Sequence, residues 1–494
     1  MRLRQSRAAL YGLIAVISAG LLAYAESLAF VWDEGFHLLA AQLIAAGKRP
    51  YLDFCFPQTP LNAYWNAAWM LVFGESWKVT HVPAALLTIG TMFLVADFVY
   101  SRFPDPRWRT CCAIASTLFF GINIIVVQFG PIAQAYAMCL FTGFAAYRLA
   151  IRAAETKALI LSFASGLFSG IAAASSLLSA PIVPVLLGWF WVTKVGGERW
   201  KNAGAFLCGV SVPFIPVFCL FAQARRAVWF NVVEYQALYR RANWESATAH
   251  DVDALTSWVD SGQALLLGLL ALATVIFIAR KREWTRQIRN ELYLAAALAA
   301  ALVAYISTAH PTFGRYYIVA IPFFAVVAGP GLYVAGSRLI SPERPLWPTV
   351  GVAFLLTVAV ARALFDDRDQ ATWARYEEVA RKVREVTPHG AMLFADEQVY
   401  FLLRWPPPSG MEFSYSHKLD IPVKEASALH IIPRKELQRE VKAGIFATFQ
   451  TCDEDKIDEW GIPALYTRRA DIADCSVFWG RRAAAGLAKS AAPK

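Results

Sequence analysis

Apolar stretches of about 17 to 20 residues with almost no charge recur along the first 365 positions of this 494-residue chain. Each stretch is long enough to cross a hydrocarbon layer about 30 Å thick as a helix. Hydrophobic residues make up 57% of the chain and charged residues only 17%, and a water-soluble protein of this length does not need so much apolar surface. The sequence therefore predicts an α-helical polytopic membrane protein.

The apolar stretches predict about 11 transmembrane helices. Their predicted bounds are 8–28, 82–100, 111–128, 132–147, 158–174, 178–193, 202–222, 263–279, 291–308, 316–336 and 348–365. The first run follows three arginines, as in a secretory signal, but no small-residue cleavage site follows it. We therefore interpret it as a retained span.

Basic residues lie in alternate gaps between these spans, whereas the gaps at 129–131 and 175–177 contain none. Because Lys and Arg concentrate in cytoplasmic loops, this alternation predicts a cytoplasmic N-terminus. We expect the membrane to be the plasma (inner) membrane. An odd number of crossings then places the C-terminal end outside. The net charge of +10 does not indicate nucleic acid, since the basic residues are spread over short loops rather than gathered in one patch.

The composition changes abruptly after residue 365. We predict a transmembrane part at 1–365, with an outer loop at 29–81, and a small extracytoplasmic α/β domain at 366–494. The predicted elements of that domain are a helix at Tyr376–Val386 and short strands at Ala391–Phe394, Val399–Leu403, Leu429–Ile432 and Ile445–Thr448. We expect a disulfide between Cys452 and Cys475 in an oxidising compartment, and disorder in Ala483–Lys494.

The loop after the first span holds the side chains best suited to chemistry. Asp33 and Glu34 are adjacent carboxylates, and His37 follows one helical turn after Asp33. Apolar residues at helical spacing predict a helix that lies in the membrane interface and ends near Gly47. Asp33 would then lie in the first helical turn, where the helix dipole favours an ionised carboxylate. A simple helix cap is the alternative role for Asp33, and the residues alone leave both open.

Several motifs resemble a known family. Trp32-Asp33-Glu34-Gly35, then Tyr51-Leu52-Asp53-Phe54 and Pro57-Gln58-Thr59-Pro60-Leu61, resemble the first external loop of integral-membrane GT-C glycosyltransferases. These enzymes use polyprenyl-phosphate sugars and include the protein mannosyltransferase, aminoarabinose transferase and lipopolysaccharide galacturonosyltransferase group. Further short matches are Gly314-Arg315-Tyr316-Tyr317, Ile321-Pro322 and the stretch from Tyr376 to Leu403. The resemblance extends over roughly the whole chain and implies a GT-C-like fold.

The resemblance also implies roles for particular residues. Asp33 matches the family's catalytic aspartate, which acts on the acceptor hydroxyl, and we expect Glu34 to assist it. This agrees with the chemistry, because a sugar hydroxyl is a weak nucleophile and a placed carboxylate can accept its proton. Arg315 matches a phosphate-contacting arginine, although an arginine at a span end also snorkels to lipid head groups. Arg240 and Arg241 are further candidates for the phosphate, with a solvated basic face as the alternative.

At two positions the chain departs from the family pattern. Gln134 stands where many relatives carry an acid, and Gln58 stands where a lysine is frequent. Since a hard cation prefers separated carboxylates, we predict no fixed metal site, while a divalent cation near Glu34 and His37 stays possible. The remaining candidates for substrate contact are His37, Asp53, Gln58, Gln134, His310 and Tyr316.

The function predicted from these residues is transfer of a sugar from a polyprenyl-phosphate donor to an acceptor on the outer face, with inversion. The expected partners are that donor, an envelope glycan, lipid or protein acceptor, and membrane lipids. A transporter or lipid-linked sugar flippase is the alternative. Transporters place ionisable groups near the middle of the membrane, whereas Asp97 and Glu26 lie near the ends of their predicted spans.

Overall fold

The computed structural model describes residues 3–31, 33–156, 158–281 and 283–482. The predicted disordered tail, Ala483–Lys494, lies outside the described residues. The α-helices up to residue 366 are α1 (Leu3–Ala23), α2 (Glu34–Ala45), α3 (Leu61–Phe73), α4 (Trp77–Arg102), α5 (Arg109–Gly121), α6 (Ile124–Phe129), α7 (Tyr136–Glu155), α8 (Leu159–Ser175), α9 (Ile182–Thr193), α10 (Gly196–Ser211), α11 (Ile215–Gln223), α12 (Arg225–Trp229), α13 (Ala247–Asp260), α14 (Gly262–Arg280), α15 (Arg286–Ile306), α16 (Ile321–Leu339) and α17 (Leu346–Asp366). Short 3₁₀ or π-helical segments adjoin several of them, at Tyr24–Leu28, Leu177–Ser179, Val212–Phe214, Phe230–Tyr239 and Gly314–Ala320.

Seven helical segments within the described residues are long and apolar enough to cross a membrane. Their bounds are Arg7–Leu28, Trp77–Arg102, Gly196–Gln223, Gly262–Arg280, Arg286–Ile306, Gly314–Leu339 and Leu346–Asp366. Two shorter apolar helical segments lie at Leu159–Ser175 and Leu177–Thr193. The chain is therefore a multi-pass membrane protein, while the number of 11 crossings and the orientation of the termini stay predictions.

Glycines let some of the membrane helices pack at very short distances. A Cβ added to Gly209 in α10 would lie 2.1 Å from the carbonyl oxygen of Phe163 in α8. A Cβ on Gly166 would likewise lie 1.9 Å from the carbonyl oxygen of Phe206. Because lipid tails are as apolar as the side chains, close packing rather than water exclusion stabilises such helix pairs.

The C-terminal segment, residues 366–482, contains short helices and one sheet. Its helices are α18 (Trp373–Val386), α19 (Glu397–Leu403), α20 (Val423–Ala428), α21 (Arg434–Ala443), α22 (Glu454–Glu459), α23 (Ile462–Leu465) and a 3₁₀ segment at Ser414–Lys418. The strands β1 (Leu393–Phe394), β2 (Thr448–Thr451), β3 (Tyr466–Ile472) and β4 (Cys475–Arg481) pair in the order β1-β2-β4-β3. Within this sheet, as far as the structure describes the chain, β1 and β2 pair in parallel and the other two pairs are antiparallel. The boundary predicted between 365 and 366 stays a prediction.

The predicted elements of this segment are partly wrong. The helix at 376–386 lies within α18, and the strand at 391–394 is present as β1. The run 399–403 is helical instead, because a short buried apolar run has no periodicity that separates a strand from a helix. No strand forms at 429–432, and the strand predicted at 445–448 begins only at Thr448.

A disulfide joins Cys452 and Cys475, the pair expected from the sequence. Cys452 directly follows β2, and Cys475 is the first residue of β4, so the bond connects two antiparallel neighbours at the same end of the sheet. It therefore fixes the chain that leads from β2 into α22.

We expect replacement of Gly209 by Ala to destabilise the protein, because the added methyl group must separate α8 from α10. The apparent Tm of the purified protein should fall by about 5 °C. Gly204→Ala is the matched control on the same helix, since a Cβ there meets no atom within 4 Å. Equal Tm values for the two variants would contradict the proposed packing of α8 on α10.

Candidate active site

Asp33 lies immediately before α2, and its carboxylate receives two hydrogen bonds from distant parts of the chain. The hydroxyl of Tyr415 donates to Oδ1 over 2.8 Å, and the guanidinium of Arg315 pairs with Oδ2. Burial, followed by the negative charge of Asp33, raises the pKa of Tyr415, so its hydroxyl keeps its proton and remains a donor. The Asp33 side chain is 29% exposed, which leaves its carboxylate accessible to a ligand.

Two arginines lie against one pair of aromatic rings beside Asp33. The guanidinium carbon of Arg315 is 4.2 Å from the centre of the Phe313 ring, and that of Arg240 is 5.2 Å from the centre of the Tyr316 ring. Burial is the main reason why the pKa of Arg240 is lowered, and the positive charge of Arg315 lowers it further. Since two cations share one carboxylate here, the site has an excess of positive charge and suits an anion.

Glu34 differs sharply from its neighbour, because it is fully buried and both of its oxygens accept hydrogen bonds. Oε1 accepts from the backbone N–H of Ala133 over 2.5 Å and lies 2.8 Å from Nε2 of His81. Oε2 accepts from the indole N–H of Trp373 over 2.8 Å. The other ring nitrogen of His81, Nδ1, lies 2.7 Å from the carbonyl oxygen of Ala25.

These contacts connect α2 to three separate parts of the fold. Ala133 lies between α6 and α7, His81 lies in α4, and Trp373 begins α18. The Trp373 ring also stacks on Trp77 in α4, with 5.9 Å between the ring centres. Glu34 is thus placed to hold the start of α2, directly after Asp33, whereas the catalytic role predicted for it would require a carboxylate free to act on a substrate.

Of the remaining sequence-predicted residues, Tyr316 and Arg240 belong to the cluster around Asp33. The Tyr316 ring contacts the guanidinium groups of both Arg240 and Arg315. His310 and Arg241 instead contact Asp251, with Nδ1 of His310 at 3.0 Å and a guanidinium nitrogen of Arg241 at 3.7 Å. Asp251 also accepts a backbone hydrogen bond of 2.8 Å from Thr312. This second cluster therefore fixes the segment just before Arg315.

His37, Gln134, Asp53 and Gln58 do not contact the Asp33 carboxylate. His37 is buried and stacks on Phe36, with 4.1 Å between the ring centres, and burial lowers its pKa to about 4. Gln134 is also buried, and its side-chain nitrogen has no hydrogen-bond partner among the described residues. Asp53 pairs with Arg49 at 3.1 Å, and the backbone carbonyl of Gln58 accepts from the hydroxyl of Tyr51 over 2.5 Å.

Sequence analysis missed Tyr415, the second partner of Asp33. Tyr415 lies 382 positions later in the chain, on the 3₁₀ segment Ser414–Lys418. The only signal for it was the prediction that the C-terminal segment and the first loop share one face, and that prediction names no residue.

A cavity of about 480 Å³ opens between α2 and the C-terminal segment, with Asp33 in its wall. Phe36 of α2 and Tyr415, His417 and Lys418 of the 3₁₀ segment contribute to the same wall. Pockets of a few hundred cubic ångströms are typical of sites for small molecules and head groups. The Asp33 carboxylate, which contacts Arg315 and Tyr415, therefore borders a space large enough for a substrate.

The residues considered for a divalent cation do not fit that role. Both oxygens of Glu34 already accept hydrogen bonds, so its carboxylate is not available as a ligand beside His37. Within the described residues, no group of three or more His, Cys, Asp or Glu side chains is arranged to hold a metal ion.

No protein-family model matches the chain, and no curated protein sequence matches it. Solved structures do match. The crystal structure of ArnT from Cupriavidus metallidurans bound to undecaprenyl phosphate superposes with a TM-score of 0.66 at 12% identity, covering 97% of this chain and 98% of ArnT. The apo structure of ArnT gives a TM-score of 0.64 at 13% identity, covering 95% and 98%.

The fold of this chain is similar to that of ArnT. The similarity extends over nearly the full length of both chains, so it includes the membrane helices and the C-terminal segment. The GT-C-like fold predicted from short sequence motifs is therefore confirmed.

We expect Glu34→Gln to destabilise the protein by about 2 to 4 kcal/mol, since an amide nitrogen would face hydrogen-bond donors in a buried place. The Tm should fall, and hydrogen exchange should accelerate at the start of α18, where Trp373 loses its acceptor. Glu385→Gln, a change at an exposed carboxylate, should alter neither measurement. Unchanged exchange at α18 in Glu34→Gln would show that Glu34 does not hold this junction.

Proposed function

We propose that this chain is a glycosyltransferase that moves a sugar from a polyprenyl-phosphate donor to an acceptor hydroxyl at the outer face of the membrane. The observation that carries the proposal is the Asp33 carboxylate, which is held by Arg315 and Tyr415 in the wall of a cavity. The similarity to a structure of ArnT with undecaprenyl phosphate bound supports this class of donor.

Asp33 is the proposed general base. As the acceptor oxygen attacks the anomeric carbon of the donor sugar, its proton passes to the carboxylate of Asp33. One carbon–oxygen bond forms to the acceptor, and the bond between the anomeric carbon and the phosphate oxygen breaks. Direct attack from the side opposite the phosphate inverts the anomeric carbon. We assign Glu34 as a positioning residue, because its buried contacts hold Asp33 and leave it no free oxygen.

Arg315 and Arg240 are the proposed phosphate ligands. The leaving phosphate gains negative charge in the transition state, and fixed cations at that place stabilise it. Arg315 pairs with Asp33 in the structure, so an incoming phosphate competes with the carboxylate for the same guanidinium. Donor binding would then loosen the pair and leave Asp33 more basic. In this way the arginine couples donor binding to activation of the base.

The proposed orientation places the first loop and the C-terminal segment outside the cytoplasm. It rests on the basic residues in alternate short gaps of the sequence. The direct contacts between α2 and the C-terminal segment require both to lie on one side of the membrane, whichever side it is. The charged cluster of Asp33, Arg315 and Arg240 favours transfer chemistry over transport, because a transporter needs its binding site near the middle of the membrane.

Asp33→Asn should abolish transfer, because an amide cannot accept the acceptor proton. In cells that lack the gene, we expect an envelope glycolipid or glycoprotein to be lighter by the mass of one sugar, as measured by mass spectrometry. Wild-type protein and the exposed control Asp369→Asn should restore that mass, and Asp33→Asn should not, at equal expression. Full restoration by Asp33→Asn would contradict the catalytic assignment.

Arg315→Ala should weaken binding of undecaprenyl phosphate by about tenfold or more, the value of a charge-assisted hydrogen bond to phosphate. The affinity of Arg315→Lys should lie between those of the wild type and Arg315→Ala, because lysine keeps the charge but not the planar fork of hydrogen-bond donors. The dissociation constant can be measured on purified protein by native mass spectrometry. Arg368→Ala, at an exposed arginine, is the control, and an equal effect of both alanine variants would remove Arg315 from the phosphate site.

A further inference from the structure

The cavity beside Asp33 continues along residues of the C-terminal segment that the proposed transfer step does not use. Six carboxyl side chains contribute to its wall: Asp33, Asp396, Glu397, Asp453, Asp455 and Glu459. Three cationic side chains, those of Lys418, Arg434 and Lys456, do so as well. The wall is therefore polar and rich in hydrogen-bonding groups, in contrast to a lipid-binding groove.

His417 is the most informative residue in this wall. Its side chain is only 4% exposed, and neither ring nitrogen has a hydrogen-bond partner among the described residues. Burial lowers its pKa to about 3, so the imidazole is neutral and offers one N–H donor and one nitrogen acceptor. Leaving both groups buried without a partner costs stability, whereas a ligand hydroxyl could donate to one nitrogen or accept from the other.

The three cations of the wall are already engaged by protein groups. Arg434 pairs with Glu459, and Nζ of Lys456 lies 3.6 Å from a carboxylate oxygen of Asp453. Lys418 donates to the backbone carbonyl of Arg240. Arg434 and Lys456 are therefore each paired with a carboxylate, whereas the charge of Lys418 is not.

Three of the carboxyl groups, by contrast, make no ion pair among the described residues. Oδ2 of Asp396 accepts from the backbone N–H of Cys452 over 2.9 Å, and Oε1 of Glu397 accepts from that of Ser414 over 2.6 Å. Asp455 is exposed and makes no ion pair among the described residues. In this wall the carboxyl groups without an ion pair outnumber the cations without one, which disfavours a phosphate or carboxylate and favours hydroxyl or ammonium groups.

Building on the function proposed above, we propose that this cavity binds a sugar of the acceptor, that His417 hydrogen-bonds to one of its hydroxyl groups, and that this sugar is neutral or carries an amino group rather than a phosphate. The volume of about 480 Å³ suits a glycan head group, and Asp33 at one side of the cavity is placed to reach a hydroxyl of that sugar. The C-terminal segment thus selects the acceptor, while Arg315 and Arg240 hold the donor.

Saturation-transfer NMR on the full-length protein in detergent tests this proposal with three probes: N-acetylglucosamine, glucosamine and glucosamine 6-phosphate. We expect signals for the first two probes and a clearly weaker signal for the phosphorylated one. His417→Ala should reduce the signals about fivefold, the value of roughly one hydrogen bond. His389→Ala, at an exposed histidine that does not border the cavity, should leave them unchanged.

A second variant keeps the test decisive if His417→Ala does not fold. Asp455→Asn changes an exposed residue of the wall and should weaken the glucosamine signal while strengthening that of glucosamine 6-phosphate. Glu454→Gln, its exposed neighbour outside the wall, should change neither. Equal signals for all three probes would overturn the charge preference, and unchanged signals in a folded His417→Ala variant would overturn the role of His417.

Binding of undecaprenyl phosphate, measured on the same samples, separates this inference from the proposed function. If the wild-type protein binds undecaprenyl phosphate but none of the three sugar probes, the acceptor inference is wrong and the proposed function stands. If the wild-type protein binds no undecaprenyl phosphate, the proposed donor and the function built on it are wrong.

Discussion

The buried carboxylate of Glu34 is the interaction on which the rest of the site depends. A carboxylate removed from water needs strong hydrogen bonds, and Glu34 obtains them from Ala133, His81 and Trp373. Each donor comes from a different part of the chain, so α4, the α6–α7 connection and the C-terminal segment converge on the first turn of α2. Because Asp33 directly precedes Glu34, these contacts also fix the position of Asp33.

The Asp33 carboxylate, unlike that of Glu34, lies at the surface of a cavity and pairs with groups that can exchange partners. Arg315 holds it in the structure, and a second arginine, Arg240, lies against the same aromatic pair without a carboxylate of its own among the described residues. Two cations beside one carboxylate give the site a net positive charge. A donor phosphate supplies the missing negative charge, which is why we place it there.

The sequence predicted those features that depend on local patterns. Apolar stretches predicted the membrane helices, and the short motif around Asp33 predicted the GT-C-like fold. Contacts between distant segments could not be predicted in this way. No local sequence pattern near Tyr415, Trp373 or His417 indicates that these residues lie close to residues 33–37. The same limit applies to Glu34, since adjacent carboxylates look alike in sequence and differ only in their surroundings.

A structure of the purified protein with undecaprenyl phosphate bound would test the central claim most directly. The account predicts the phosphate within hydrogen-bond distance of Arg315 and close to Arg240, with the guanidinium of Arg315 withdrawn from Asp33 and Asp33 facing the cavity. A phosphate bound elsewhere, with the pair between Arg315 and Asp33 intact, would contradict it.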